Sequence, residues 1–158
     1  MALAFVTGDP LLTRCQMLGF GHNQRAGTEV TPLFMRLMRQ YPPAFADYEQ
    51  ACRKARQKSG QLHIWRQSMP ELLFMTVRDS HVGATRLRYV QACLLVIARD
   101  YRLHGIESLA IAPLGDTDEQ ADILPLFRMW LNDVSISVVV YEAYTAGVKA
   151  DESKAFPQ

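Results

Sequence analysis

Apolar positions along the chain follow two rhythms, and the switches between them predict its elements. Ala2 to Val6 is a short apolar run stopped by Gly8-Asp9-Pro10, where glycine relaxes the backbone and proline withholds a ladder donor. A second strand is predicted around Gln16 to Gly21. Thr31-Pro32 then reads as an N-cap with a first-turn proline, ahead of Leu33, Phe34, Leu37, Met38 and Tyr41 on one helical face. Pro42-Pro43 closes that helix. Phe45, Tyr48, Ala51, Cys52 and Ala55 trace the next one, which ends in a basic turn before Gly60.

Leu62 to Trp65 and Leu72 to Val77 are strand-like, and the loop signal Gln67-Ser68-Met69-Pro70 between them predicts a hairpin. The clearest helix runs from about Thr85 to Arg102, where Leu87, Val90, Leu94, Ile97 and Tyr101 form one stripe before Gly105. Ser108 to Ala112 has the nearly continuous apolar character of a strand buried on both faces, and Pro113-Leu114-Gly115 ends it. A shorter helix is predicted around Ile123 to Leu131, with Pro125 near its first turn, and Ile136 to Tyr141 is the most β-branched run in the chain. From Thr145 the periodicity is lost, so a domain over 1–144 is predicted, with 145–158 a flexible tail that is mobile or pinned only locally. This order of elements fits a three-layer α/β/α fold with a central mixed sheet, whose ligands would sit beyond the carboxyl ends of the strands.

Composition narrows the class without naming a chemistry. The chain has 158 residues, 49% of them hydrophobic and 21% charged, which is enough to bury one layered core and excludes general disorder. Cys15, Cys52 and Cys93 form no CxxC pair and no closed disulfide framework, which points to reduced thiols in the cytoplasm. No apolar run is long enough for a membrane helix, and the start MALAFVTG has no signal-peptide pattern, so no membrane association is expected. Residues 1–88 hold 12 Lys and Arg against 6 Asp and Glu, whereas residues 89–158 hold 5 against 10. The near-neutral whole, at +1, disfavours nucleic acid as a partner, while the uneven halves leave room for a charged protein partner. The run Arg53-Lys54-Ala55-Arg56-Gln57-Lys58 has two readings: cations answering a helix C-terminus, or a contact for nucleic acid or an acidic protein face. No GxSxG, HExxH or Walker pattern is present.

Four segments in order, FVTGDPL, MRQYPPAFADYEQACR, FMTVRDSHVGATRLRYVQACL and IESLAIAPLG with a closing VVVYE, resemble a macrodomain of the ADP-ribosyl glycohydrolase antitoxin branch. Together they touch most of residues 4–142. The resemblance implies an ADP-ribose-like nucleotide as ligand. It places Asp9 where a carboxylate would accept a hydrogen bond from the adenine amino group, although Gly-Asp-Pro is also sufficient turn chemistry. Asn23, or Gln24 one residue on, falls near the position that would hold the distal ribose. The surrounding GFGHNQRAGTEVTP differs from the family pattern, and a loop Asn bonding to local backbone remains the other reading. His22 beside it is either an acid-base group or a structural ring.

The loops that would carry the chemistry depart from the family. A macrodomain grips diphosphate through glycine-rich turns that present several N–H groups at once. At the first such turn this chain has Gly27-Thr28-Glu29-Val30-Thr31-Pro32, which keeps only Gly27 and adds a carboxylate. At the second, Gly115 is followed by Asp116-Thr117-Asp118-Glu119-Gln120-Ala121-Asp122, an acidic run that repels anions or favours a helix N-terminus. Asp116, Asp118 and Asp122 match no calcium-loop spacing, and neither a metal site nor a cofactor is predicted. Where the branch has a lysine after the strand ending in Phe74 to Val77, this chain has Arg78, which stays protonated and can bind phosphate but is no nucleophile. The ligand-binding candidates are therefore Asp9, Asn23, Gly27 and Gly115, and the catalytic ones His22, Asn23 and Arg78. The leading expectation is a divergent macrodomain-like pseudoenzyme that binds a protein partner or an altered nucleotide. The alternatives are an ADP-ribosyl hydrolase with an unusual site and an interaction protein that blocks another enzyme.

Overall fold

The computed structural model describes residues 2–156. Six strands form one sheet: β1 (Ala2–Gly8), β2 (Met17–Asn23), β3 (Leu62–Trp65), β4 (Glu71–Arg78), β5 (Ser108–Ile111) and β6 (Ser137–Tyr144). Four helices join them: α1 (Pro32–Gln40), α2 (Pro42–Arg53), α3 (Leu87–Asp100) and α4 (Thr117–Leu131). The order across the sheet is β1-β6-β5-β2-β4-β3, and β3 alone runs antiparallel, as the partner of β4 in the predicted hairpin. The mixed sheet and the α/β/α layering are as the sequence predicts.

Alternating side chains divide the sheet between two cores. On one face Leu18, Phe20, Leu72, Phe74, Ala110 and Val139 pack with Phe34 and Leu37 of α1 and Ala44, Phe45 and Tyr48 of α2. Phe74 is the hub of this side, edge-on to Phe20 at 4.7 Å and stacked on Tyr48 at 4.6 Å. On the other face Met17, Leu73, Met75, Val77, Leu109, Ile111, Val138 and Val140 meet Val90, Cys93, Leu94 and Ile97 of α3 and Ile123, Leu126, Phe127 and Leu131 of α4. Because both faces are covered, the central strands read as continuous apolar runs rather than alternating ones.

Three expectations are corrected. Pro42 and Pro43 do not simply end α1. They open α2, where the donors that proline lacks would have had no intrahelical partner. α4 begins at Thr117, well before Ile123: Asp116 accepts from the Glu119 amide at 2.8 Å and Glu119 accepts from the Asp116 amide at 3.0 Å, a capping box that leaves Pro125 in the helix interior. The segment read as a flexible tail is bound to the body through residue 156. Buried Glu152 accepts from Tyr141 Oη at 2.6 Å, Thr13 Oγ1 at 2.6 Å and the Arg14 amide at 3.0 Å, and Arg14 lies over the Phe156 ring. Gly8, at φ +148, makes this possible, since a Cβ there would stand 2.7 Å from the Val148 carbonyl oxygen. Composition alone misses such a tail because the Glu152 carboxylate, backbone bonds to Gly8 and Asp9 and a few scattered buried residues, rather than apolar periodicity, hold it.

β2 and β5 are neighbours, yet β2 leads to helices packed on one face and β5 to a helix packed on the other. A crevice must open between their carboxyl ends, and that is where a ligand is expected in an open parallel sheet.

Candidate functional site

The crevice is a cleft of about 790 Å³ at the carboxyl ends of all five parallel strands, lined by Thr7, Gly21, Arg78, Leu114, Gly115 and Tyr144 among others. That volume lies in the range of small-molecule and cofactor pockets. Phe20, Leu33, Phe34, Leu37 and Leu124 give it an apolar side, while Glu29, Asp116, Glu119 and Glu142 bring four carboxylates. Asp118 and Asp122, counted in the same acidic run of the sequence, do not line it. Arg78 and His81 are its cationic or cationisable side chains.

His22 and Asn23, the end of β2, are buried below this surface at 2% and 0% exposure. His22 is stacked on Tyr48 at 4.6 Å and edge-on to Phe34 at 4.7 Å, and its Nδ1 accepts the Asn23 amide at 2.8 Å. In the neutral ring that places the proton on Nε2. Asn23 organises the following turn: Oδ1 accepts the amides of Arg25 and Gly27, and Nδ2 donates to the Gly27 carbonyl and to Glu29, both at 2.9 Å. Gly27 therefore has both its N–H and its C=O bonded to Asn23. Gln24, the other register, accepts the Ser59 amide away from the cleft.

Glu29 and Arg78 form a two-pronged pair, Nε to Oε2 at 3.1 Å and Nη2 to Oε1 at 2.9 Å, with side chains 8% and 13% exposed. Arg78 Nη1 also donates to Thr85 Oγ1 at 2.8 Å and to the Leu114 carbonyl at 3.0 Å, so one guanidinium ties together three of the loops around the cleft. The negative charge that Glu29 brings is matched by this partner, and the same bonds occupy the Arg78 donors that a phosphate would need.

Asp9 is fully buried and lies outside the cleft lining. One carboxylate oxygen accepts the Leu11 amide at 3.0 Å, and the other accepts the Gly147 amide at 2.8 Å and Arg36 Nη1, which also reaches Tyr144 Oη. Burial opposes ionisation of Asp9, but Arg36 and the two amides outweigh it and hold the carboxyl below its ordinary 3.8. Burial likewise opposes ionisation of Glu29, and the bonds it accepts from Arg78 and Asn23 keep it below 4.5. His22 is held below 6.5 chiefly by burial, with Glu29 pulling the other way.

These shifts share one sign. A histidine or carboxyl whose pKa is depressed in the fold contributes stability above its unfolded value and loses it as pH falls through the folded one. The first loss of stability is therefore expected below 6.5, from His22, followed by Glu29 and then Asp9. Urea unfolding at stepped pH reads this directly; a midpoint that stays flat between about pH 7 and about pH 5 contradicts the buried neutral ring.

The second loop is occupied from within. Glu119 accepts the Asp116 amide at 3.0 Å through one oxygen and the Thr85 amide at 2.9 Å through the other. Gly115 admits that carboxylate, because a Cβ on it would lie 2.6 Å from Glu119 Cβ. A side-chain carboxylate thus stands where two loops converge their N–H groups, in the manner of a bound anion.

No protein-family model and no curated protein matches the chain. Solved structures do. It is similar to the macrodomain of Thermus aquaticus DarG, with a TM-score of 0.80 and 18% identity over 88% of this chain and 97% of that one. Thermosipho africanus DarTG in complex with ADP-ribose gives 0.82 and 20%, covering 98% of this chain and 44% of that one. The macrodomain of Mycobacterium tuberculosis DarG gives 0.72 and 22%, covering 88% and 96%. The chain has the macrodomain fold. Within that fold the strand-end cleft is open, while the N–H groups of Gly27, Thr85 and Asp116 around it are bonded to the chain's own side chains. Glu119 was legible only as one member of an acidic run, although the spacing Asp116-x-x-Glu119 is a capping-box signature that could have singled it out. Nothing in the sequence marked Arg36, which lies 27 residues from Asp9.

Proposed function

We propose that this macrodomain-fold protein is a binding protein that has given up ordinary ADP-ribose turnover, and that its cleft takes a protein segment or a nucleotide altered at its diphosphate. The observation that carries the reading is the internal occupation of the donors beside the cleft: the Thr85 and Asp116 amides are both taken by Glu119. Once Glu29 is paired with Arg78, Asp116, Glu119 and Glu142 remain around the cleft without a salt-bridge partner among the described residues. A pyrophosphate would meet charge of its own sign there, whereas a neutral or cationic group would not. The candidate catalytic groups support the same reading, since His22 and Asn23 are buried and Arg78 is held in three directions. Three free cysteines, two of them buried, fit a reducing cytoplasmic setting.

An ADP-ribosyl hydrolase is the second reading, because Thermosipho africanus DarTG, of the same fold, is described with ADP-ribose. Calorimetry with ADP-ribose, run beside an assay for free ADP-ribose released from a modified substrate, separates the two. The proposal expects binding no tighter than about 1 mM and no release. Release of ADP-ribose above the uncatalysed rate decides for the hydrolase.

A further inference from the structure

We propose that the basic pocket behind the 24–31 loop is a second ligand site, built for a compact oligophosphate group. The pocket is about 470 Å³ and lies between the β2–α1 and α2–β3 connections. Gly27 and Thr28 line it, while Glu29 and Thr31 of the same loop line the acidic cleft, so one loop separates two cavities of opposite charge. The inference stands independently of the reading of the cleft.

Arg25, Arg53 and Lys58 line the pocket, and Glu49, the one carboxylate in the lining among the described residues, is bonded to Arg53. Lys54 and Arg56 lie in the same α2–β3 connection as Lys58. Among the described residues Arg25, Lys54, Arg56 and Lys58 have no carboxylate partner. The dipole of α2 accounts for cations in its own last turn, but it does not account for Arg25, which arrives from the β2–α1 loop to face the same cavity. Like charges gathered around a concavity repel one another and focus a positive potential into it, which a multivalent anion relieves.

The backbone beneath these cations is fixed. Asn23 Oδ1 holds the Arg25 and Gly27 amides, Gln24 Oε1 holds the Ser59 amide, and Gln57, 5% exposed, donates to Thr76 Oγ1. Ala26 and Ala55 line the pocket from its two loops, and both have φ of 56°, a left-handed conformation costly for a residue with a Cβ. Among the described residues no aromatic or large aliphatic side chain is in the lining, so none of them would stack a base or hold an apolar group there. Guanidinium forks match phosphate oxygens in pairs, which favours oligophosphate over a diffuse string of carboxylates.

The test titrates tripolyphosphate, and hexaglutamate as the carboxylate comparator, into the intact protein at low and high salt. An Arg25→Gln/Lys58→Gln variant is run beside a charge-keeping Arg25→Lys/Lys58→Arg variant, and thermal unfolding checks both for folding. Tripolyphosphate is expected to bind the wild type and the charge-keeping variant tighter than about 1 mM, and the double Gln variant at least about tenfold more weakly, with screening by salt. Absence of binding to the wild type, unchanged affinity in the folded Gln variant, or equal binding of hexaglutamate overturns the assignment. Binding of ADP-ribose in the strand-end cleft would bear only on the proposed function.

Discussion

Replacing Arg78 with alanine is expected to lower the unfolding free energy by about 3–5 kcal/mol, the usual cost of stranding one partner of a buried ion pair. Glu29 would keep its charge at 8% exposure, and Thr85 Oγ1 would lose its Arg78 donor. The solvent contact that both side chains retain, 8% and 13%, puts the expectation toward the lower end of that range. The double variant Arg78→Met/Glu29→Met, which removes both charges and keeps bulk, should recover much of the loss, because the penalty lies in the unpaired charge. Urea unfolding of the wild type, the single and the double variant measures it. A single variant within about 1 kcal/mol of the wild type would make Arg78 a surface group free to bind ligand, contrary to its place here.

Glu119→Ala is expected to act on binding rather than mainly on folding. It frees the Thr85 and Asp116 amides at the mouth of α4 and removes one negative charge from the cleft. Charge-assisted bonds to two amides then become available to a phosphate, and ADP-ribose affinity should rise by about tenfold to a hundredfold. Loss of the capping box costs stability of about 1 kcal/mol, small enough to leave the fold intact. Calorimetry comparing the two proteins checks this. Equal affinities would mean that Glu119 is only a cap and that something else keeps anions out.

Much of the architecture was legible in the sequence because it rests on local, repeated signals. The stripe from Leu87 to Tyr101, the Thr31-Pro32 start of α1 and the apolar runs of β4 and β5 each follow from periodicity or capping, and the structure places them within a few residues. The resemblance carried by the ordered segments likewise foresaw the macrodomain fold. Of the four ligand candidates only Gly115 lines the cleft; Asp9 and Asn23 are buried outside its lining and Gly27 faces the pocket behind the 24–31 loop. That Asp9, Asn23, Gly27 and Gly115 lie near strand ends follows from chain order. That their polar atoms are satisfied from within depends on partners far along the chain, such as Arg36 and Gly147 for Asp9. Arg78 shows the limit most clearly: alone it reads as a phosphate ligand, and only the return of Glu29 from the β2–α1 loop turns it into a structural tie.

The most direct test of the central claim is a crystal structure of the wild-type protein soaked with ADP-ribose. The account predicts that the Gly27 amide stays on Asn23 and the Thr85 and Asp116 amides stay on Glu119, with no diphosphate among them. A diphosphate seated on those amides, with the Glu119 side chain swung out of the cleft, would contradict it.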